Sequence, residues 1–574
     1  MTKKISFFIV LVFLTQNLFA YEPQPLVPPI KIAYFVPSDM SPVADRQERL
    51  GRVMTYVQNF YLDGMRKNGY GNMTFALEWE DSSDKLVLYT VNGKRKQSEY
   101  KREDSGQIRD EVYTVLREKY GFDPNNEVVV IFQQLLKWED GKATELGPYV
   151  GGGTHLAGTA WLYEDQLLDS NLLASKDAGG YYHRPVSLGV FNTEYIGGLA
   201  HELGHALSLP HECQLDTEEA KWGKSLMGWG NHTLGQEKRG EGRGAFLSAA
   251  SALRLSRVRA FAGKLPNANV RTSWEIKELN AVENNDSKSY TLTGRVTPSQ
   301  KLVGIIVYND NEKINADYDA KTWVAKVDDD GRFRFEINEL ENVPYQMRLV
   351  GVHENGATSK VEINYEVKDG KADLSPFNAV IPMKRLLDSF QKRDIADIEA
   401  IISEYETNNE VQAKAKHAIA LLGKETLIEV ATLPTETKTA DITRAKFDEA
   451  KTGWGVIRRG QVPEDVFITV GKKFYESGLY AHAPSVYKLN LDGKWKNFEF
   501  GYGVQNGRWG KVRFILRGDG KELFRSEPVT EQAEGERVKT ISVENVKTLE
   551  LIVESATEGI SGAWGIWTVP VLSR

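Results

Sequence analysis

The sequence predicts a multidomain chain: an α/β (α+β) domain, a small antiparallel β-sandwich, a short helical segment, and a second β-sandwich at the C-terminal end. Three observations predict it. The 574 residues are too many for one ordinary core. Strand-like and helix-like apolar patterns alternate up to about Lys264, then give way to β-rich patterning. A helical stretch from Pro376 to about Leu427 interrupts that patterning before it resumes.

Lys3 and Lys4 precede the apolar run Ile5 to Leu14, broken only by Ser6, and a polar stretch then leads to Ala20. This order is that of an export signal spanning residues 1–20, cleaved after Ala20; its apolar run is too short to span a bilayer. Removing Lys3 and Lys4 takes the net charge from −7 to −9, since residues 1–20 hold no acid. Beyond this segment no run is long enough for a membrane span, so none is expected in the mature chain. The acidic balance and the lack of any long basic run exclude nucleic acid as the main partner. Cys213 is the sole cysteine, so no intramolecular disulfide can form. An exported chain stabilised by core size rather than cross-links suits a secreted or periplasmic bacterial enzyme.

Residues 21–264 form the α/β domain. Lys31 to Val36 and Glu127 to Phe132 read as strands, Ala44 to Lys67 has helical spacing, and Ala245 to Phe261 reads as a closing helix. Residues 267–375 read as an Ig-like β-sandwich spacer, with a hairpin turn rather than a cation site at Asp328-Asp329-Asp330-Gly331. Residues 376–430 read as helical, with His417 packed among alanines and leucines. Residues 432–574 carry five of the twelve tryptophans, namely Trp454, Trp495, Trp509, Trp564 and Trp567. Each is expected in the core of a sandwich, which needs large inward residues.

The chemistry concentrates in Leu199-Ala200-His201-Glu202-Leu203-Gly204-His205-Ala206-Leu207-Ser208-Leu209-Pro210-His211. Residues four apart share a helix face, so His201 and His205 can present imidazoles to one ion. Pro210 cannot continue the helix, so the chain turns and His211 can approach from another direction. Three neutral imidazoles leave an open position, as one catalytic zinc ion requires. Glu202, beside the first ligand, is placed to act as general base on water. His155, His183 and His232 lie in nearby loops and read as surface or supporting residues, because the ligand set is already complete.

This motif, followed by Ser225-Leu226-Met227-Gly228, resembles the metzincin clan of zinc endopeptidases. The resemblance implies that His201, His205 and His211 hold zinc, that Glu202 is the catalytic base and that Met227 forms the methionine turn beneath the metal. Metzincins usually place glycine where this chain has Ser208, and serine adopts that left-handed backbone only at some cost. Trp229 stands where some metzincins carry a zinc-approaching tyrosine, so that extra ligand is expected to be missing. His232 closely follows the turn and is a candidate stabiliser of the tetrahedral oxyanion. An edge strand in this clan pairs with substrate, and Thr159 to Tyr163 is the candidate here. Cys213 reads as a buried free thiol.

The segment Gly478-Leu479-Tyr480-Ala481-His482-Ala483-Pro484-Ser485 resembles the NPCBM family of carbohydrate-binding modules. That resemblance implies a β-sandwich that binds glycan, with Tyr480, His482, Asn506 and Arg508 as candidate contacts. The leading expectation is therefore a secreted zinc endopeptidase, acting on protein or glycoprotein and targeted by its carbohydrate-binding tail. The alternatives are a non-catalytic glycan-binding adhesin with a relic peptidase domain, and a glycoside hydrolase, which needs two facing carboxylates.

Overall fold

The computed structural model describes residues 26–81, 83–284, 288–313, 317–423, 426–471, 473–530 and 537–574. The export segment expected at residues 1–20 lies outside them. The chain divides into two compact units, Met1–Asn378 and Ala379–Arg574. It is a multidomain protein with a mixed N-terminal sheet, several antiparallel sheets and a C-terminal β-sandwich. No described helix is long and apolar enough to cross a membrane.

The first unit opens with a five-stranded sheet built from β1 (Lys31–Val36), β2 (Tyr89–Asn92), β3 (Val128–Gln133), β4 (Val150–Gly153) and β5 (Gly158–Tyr163), in the order β2-β1-β3-β5-β4. The first four in that order run parallel, and β4 is antiparallel to β5. β3 is buried along its whole length, which explains its unbroken Val-Val-Val-Ile-Phe run. Helices α1 (Arg46–Lys67), α2 (Ser105–Tyr120) and α3 (Leu188–Ala206) cover the sheet and share its apolar core. β5 lies between β3 and β4, so the edge is β4 and not the Thr159 to Tyr163 segment that the sequence suggested. The three consecutive glycines in β4 hide its strand character from any reading based on β-propensity.

Two antiparallel sheets follow in the same unit. One holds Trp274–Glu283, Tyr290–Pro298 and Arg332–Ile337; the other holds β6 (Leu302–Asn311), β7 (Lys321–Ala325), Pro344–His353, Thr358–Lys368 and Lys371–Ala372. Their inner faces meet through Tyr290 and Tyr365, whose rings lie 5.9 Å apart. Asp328 to Gly331 is a turn, with Asp328 Oδ1 accepting the Asp330 and Arg332 amides. The sandwich is joined to the α/β layer by one apolar cluster in which Ala250 and Leu253 pack with Ile306, Tyr308, Ala320 and Val350. A short parallel bridge, Cys213 to Lys321, reinforces the junction.

The second unit holds the helices Ile395–Glu404 and Asn409–Leu422 and a sandwich of two antiparallel sheets. His417 is buried and bonds through Nε2 to the Gly460 carbonyl at 2.7 Å, a packing role. Trp495 and Trp567 fill the core of the sandwich. Trp454 and Trp509 do not; they are 44% and 72% exposed.

Candidate metal centre

α3 begins at Ser187, whose hydroxyl accepts the Val190 amide as an N-cap. Nearly every residue from Phe191 onward is buried, so the helix runs through the core and carries His201, Glu202 and His205 to one fixed place. It stops at Ala206. Ser208 then takes φ +69°, the left-handed conformation expected of this position, at a cost of about 1–2 kcal/mol. Arg254 offsets part of that cost, since its Nη2 and Nε donate to the Ser208 carbonyl at 2.6 and 3.1 Å. Beyond this turn Pro210 redirects the chain and His211 folds back onto the helix.

The three imidazoles converge. His205 Nε2 lies 3.1 Å from His201 Nε2 and 2.9 Å from His211 Nε2. His201 Nδ1 donates to the Leu226 carbonyl and His205 Nδ1 to the Leu209 carbonyl, each at 2.8 Å. These bonds fix the tautomer of His201 and His205 and leave their Nε2 lone pairs bare toward the middle of the cluster. Burial pushes the His201 imidazole down to about 3, opposed by the Leu226 bond, and burial likewise lowers His205. Two neutral rings with inward lone pairs suit a cation bound by nitrogen. The donor set, three imidazoles within 4.8 Å of one another, fits zinc.

Glu202 sits on the same helix with its carboxyl pushed up to about 7, chiefly by burial, while a hydrogen bond from the Gly151 amide acts in the opposite direction. The approach of β4 explains that bond. A Cβ on Gly151 would overlap the Glu202 carbonyl, and one on Gly153 or Gly158 would overlap the Ala206 carbonyl. The glycines let the edge strand lie directly against the ligand-bearing helix. The signal for them in the sequence is the Gly151-Gly152-Gly153 run itself, which carries no strand propensity.

Met227 is fully buried, and its sulfur packs under the helix: a Cβ on Gly204 would come within 2.5 Å of Sδ. Glu212, next to His211, is completely buried, and its Oε1 receives Ser225 at 3.2 Å, Ser251 at 2.7 Å and Ser248. This cluster ties the His211 segment to the methionine segment and was not singled out in the sequence. Cys213 is largely buried and its thiol is pushed up to about 12, mainly by that burial. His155 bonds to the Ala268 carbonyl at 3.0 Å, and His183 is exposed; neither joins the cluster. His232 pairs with Glu194 at 2.5 Å and packs against Trp229, which is 57% exposed.

One further ring enters the centre. Tyr318, from the turn Asp317–Asp319 between β6 and β7, stacks on His211 with centroids 3.8 Å apart and planes 26° apart. It lies parallel to His201 at 6.0 Å and 5.6 Å from Trp229. The region expected to be a spacer thus places a side chain on a candidate ligand.

In the C-terminal sandwich the candidate contacts divide. Tyr480 and His482 are buried, so neither exposes a ring face for stacking. Both lie in a strand buried along its whole length, where Tyr480 donates to the Trp454 carbonyl at 3.2 Å and His482 packs against Trp454. Arg508 stacks on Trp564 at 3.9 Å and pairs with Glu464 and Asp465; Asn506 is half-buried beside it in the chain. Trp454, missing from the candidate contacts, presents the open ring that Tyr480, His482 and Trp564 support.

Residues 438–573 match the NPCBM/NEW2 domain family, so the C-terminal sandwich is an NPCBM domain. No curated protein sequence matches the chain. Among solved structures, wild-type OgpA from Akkermansia muciniphila is 22% identical, with a TM-score of 0.51 over 60% of this chain and 94% of OgpA. Catalytically inactive OgpA in complex with an O-glycopeptide substrate, glycodrosocin, gives the same figures. A second crystal form of wild-type OgpA is 22% identical, with a TM-score of 0.50 over 61% of this chain and 96% of that one. At this identity the likeness is one of fold.

Proposed function

We propose that this protein is an exported, zinc-dependent endopeptidase of metzincin type that cleaves glycosylated peptides, held near its substrates by the NPCBM domain. The observation that carries the reading is the convergence of three imidazoles, with ligand atoms within 4.8 Å of one another, beside a carboxyl group. The fold shared with OgpA, whose inactive form was crystallised with an O-glycopeptide substrate, supports the substrate class. Tethering by a weak sugar binder raises the local concentration of glycosylated substrate without new catalytic contacts.

His201, His205 and His211 would hold the ion, which when bound supplies Lewis acidity to the scissile carbonyl and to water. Glu202 takes the proton of the attacking water and later delivers it to the leaving amine. A carboxyl poised near neutrality is suited to both transfers. The outer edge of β4 is free of bulky side chains at its three glycines and can pair with an extended peptide across the mouth of the site. His232, paired with Glu194, is one polar group at hand for the developing oxyanion.

The test combines metal analysis of the purified full chain with a cleavage assay on glycodrosocin. One zinc per chain, cleavage abolished by chelator, and a Glu202→Gln variant that keeps its zinc but loses about 10²–10⁴-fold in rate are expected. Glycan binding with zinc present and no peptide cleaved would replace this reading with the adhesin.

A further inference from the structure

The β-sandwich contributes a side chain to a site otherwise built by the α/β layer, and the manner of its attachment bears on what that side chain does. The stretch just past His211 is sewn to the sandwich. Cys213 N–H donates to the Ala320 carbonyl at 2.8 Å. Glu339 accepts the Asp216 amide at 2.6 Å and the Thr217 hydroxyl at 2.9 Å. Lys321 reaches Asp216 at 3.2 Å and Glu339 at 3.5 Å. Tyr318 therefore stands two residues from a peptide group that is hydrogen-bonded to the ligand loop, and Ala320 itself is fully buried in the cluster joining the two layers. The ring is held on His211 from both sides of the junction.

Stacking fixes the ring but does not require a hydroxyl, since phenylalanine would stack as well. The hydroxyl points to chemistry. The ring lies 3.8 Å from that of His211 and parallel to that of His201 at 6.0 Å, which puts the phenol beside the triad and the helix that carries Glu202. Attack on a peptide carbonyl needs two different groups at such a site. One takes a proton from water, and the other donates a hydrogen bond to the carbonyl oxygen as it gains charge. Glu202 answers the first need. For the second, His232 is the candidate that follows the methionine segment in sequence, yet among the described residues its ring contact is with Trp229. Tyr318 is the aromatic alcohol that contacts a triad ring directly.

We propose that Tyr318, delivered by the β-sandwich, is a catalytic residue that donates its phenolic hydrogen bond to the scissile carbonyl oxygen. The inference rests on the zinc-peptidase reading. In the step concerned, the water oxygen bonds to the carbonyl carbon and its proton passes to Glu202. The carbonyl π pair moves onto oxygen, where the Tyr318 O–H receives it by a hydrogen bond without giving up its proton. When the C–N bond breaks, that pair returns to re-form the carbonyl and Glu202 protonates the amine. The tyrosine that the methionine segment lacks at Trp229 is thus supplied from about ninety residues further along the chain.

The experiment compares wild type with Tyr318→Phe, which keeps the stacking ring, in the full-length zinc-loaded protein. Expected for Tyr318→Phe is a loss of about 100-fold in kcat on glycodrosocin. Its KM, and its affinity for glycodrosocin on a Glu202→Gln background, should change little. Independently of turnover, a phosphinic peptide with a tetrahedral, charged phosphorus oxygen should bind the Phe variant about 100-fold more weakly than wild type. Zinc content by mass spectrometry should stay at one per chain. A Phe variant with wild-type kcat and wild-type phosphinate affinity overturns the proposal and leaves the peptidase reading standing. A zinc-loaded wild type that cleaves no peptide overturns both.

Discussion

The metal centre and the open end of the NPCBM domain use the same kinds of side chain, histidine and aromatic rings, in opposite ways. At the centre the working groups are inside: His201 is buried, Glu202 largely so, and the contacts that orient them come from the deepest part of the core. In the NPCBM domain the histidine and tyrosine are inside only as props, and Trp454 and Trp509 stand in solvent. The difference fits the chemistry proposed for each. Peptide hydrolysis needs bare nitrogens and a carboxyl with a raised pKa, both of which burial provides. Stacking on a sugar needs only an accessible ring face at a rigid position. Function and fold are therefore coupled in the first region and separable in the second.

Three substitutions put that contrast at risk, from the largest expected effect to the smallest. Met227→Ala removes a fully buried side chain packed under Gly204 and should cost about 2–5 kcal/mol in denaturant unfolding of the first unit. Zinc retention should fall with it, and a variant that loses stability yet binds zinc normally would break the coupling. Gly151→Ala adds a methyl where the Glu202 carbonyl already lies, costing about 1–3 kcal/mol as the strand and helix are forced apart. Activity should drop more than stability does, because the Gly151 amide also bonds to the Glu202 carboxyl. Trp454→Ala should weaken glycan binding by about 1 kcal/mol, read by titration of the isolated ligand against the full chain. Its melting temperature should match wild type; a clear drop would mean that the second region is no more separable than the first.

Much of the centre was legible before any coordinates. The spacing of His201, Glu202, His205 and His211, the break at Pro210 and the strained place of Ser208 are local facts, and helix geometry turns them into positions. The strands Lys31 to Val36 and Glu127 to Phe132 were legible because a buried parallel sheet needs continuous apolar runs. β4 was not, because glycine carries no propensity signal, and the reason for its glycines is a carbonyl some fifty residues away. Tyr480 and His482 were drawn from a sequence resemblance, which marks a position but does not tell which face of a strand is covered. Trp454 was visible as a tryptophan, and only the packing around it told exposure from core.

The sequence by itself determined that three imidazoles and a carboxyl fall within one short segment, since residue type and periodicity are properties of neighbours along the chain. Tertiary structure alone decided what surrounds that cluster. Tyr318, Gly151 and Glu212 reach the site through sheet pairing, close backbone approach and a shared apolar cluster. Contacts of that kind depend on which surfaces meet after folding, and no local pattern of residue types encodes them.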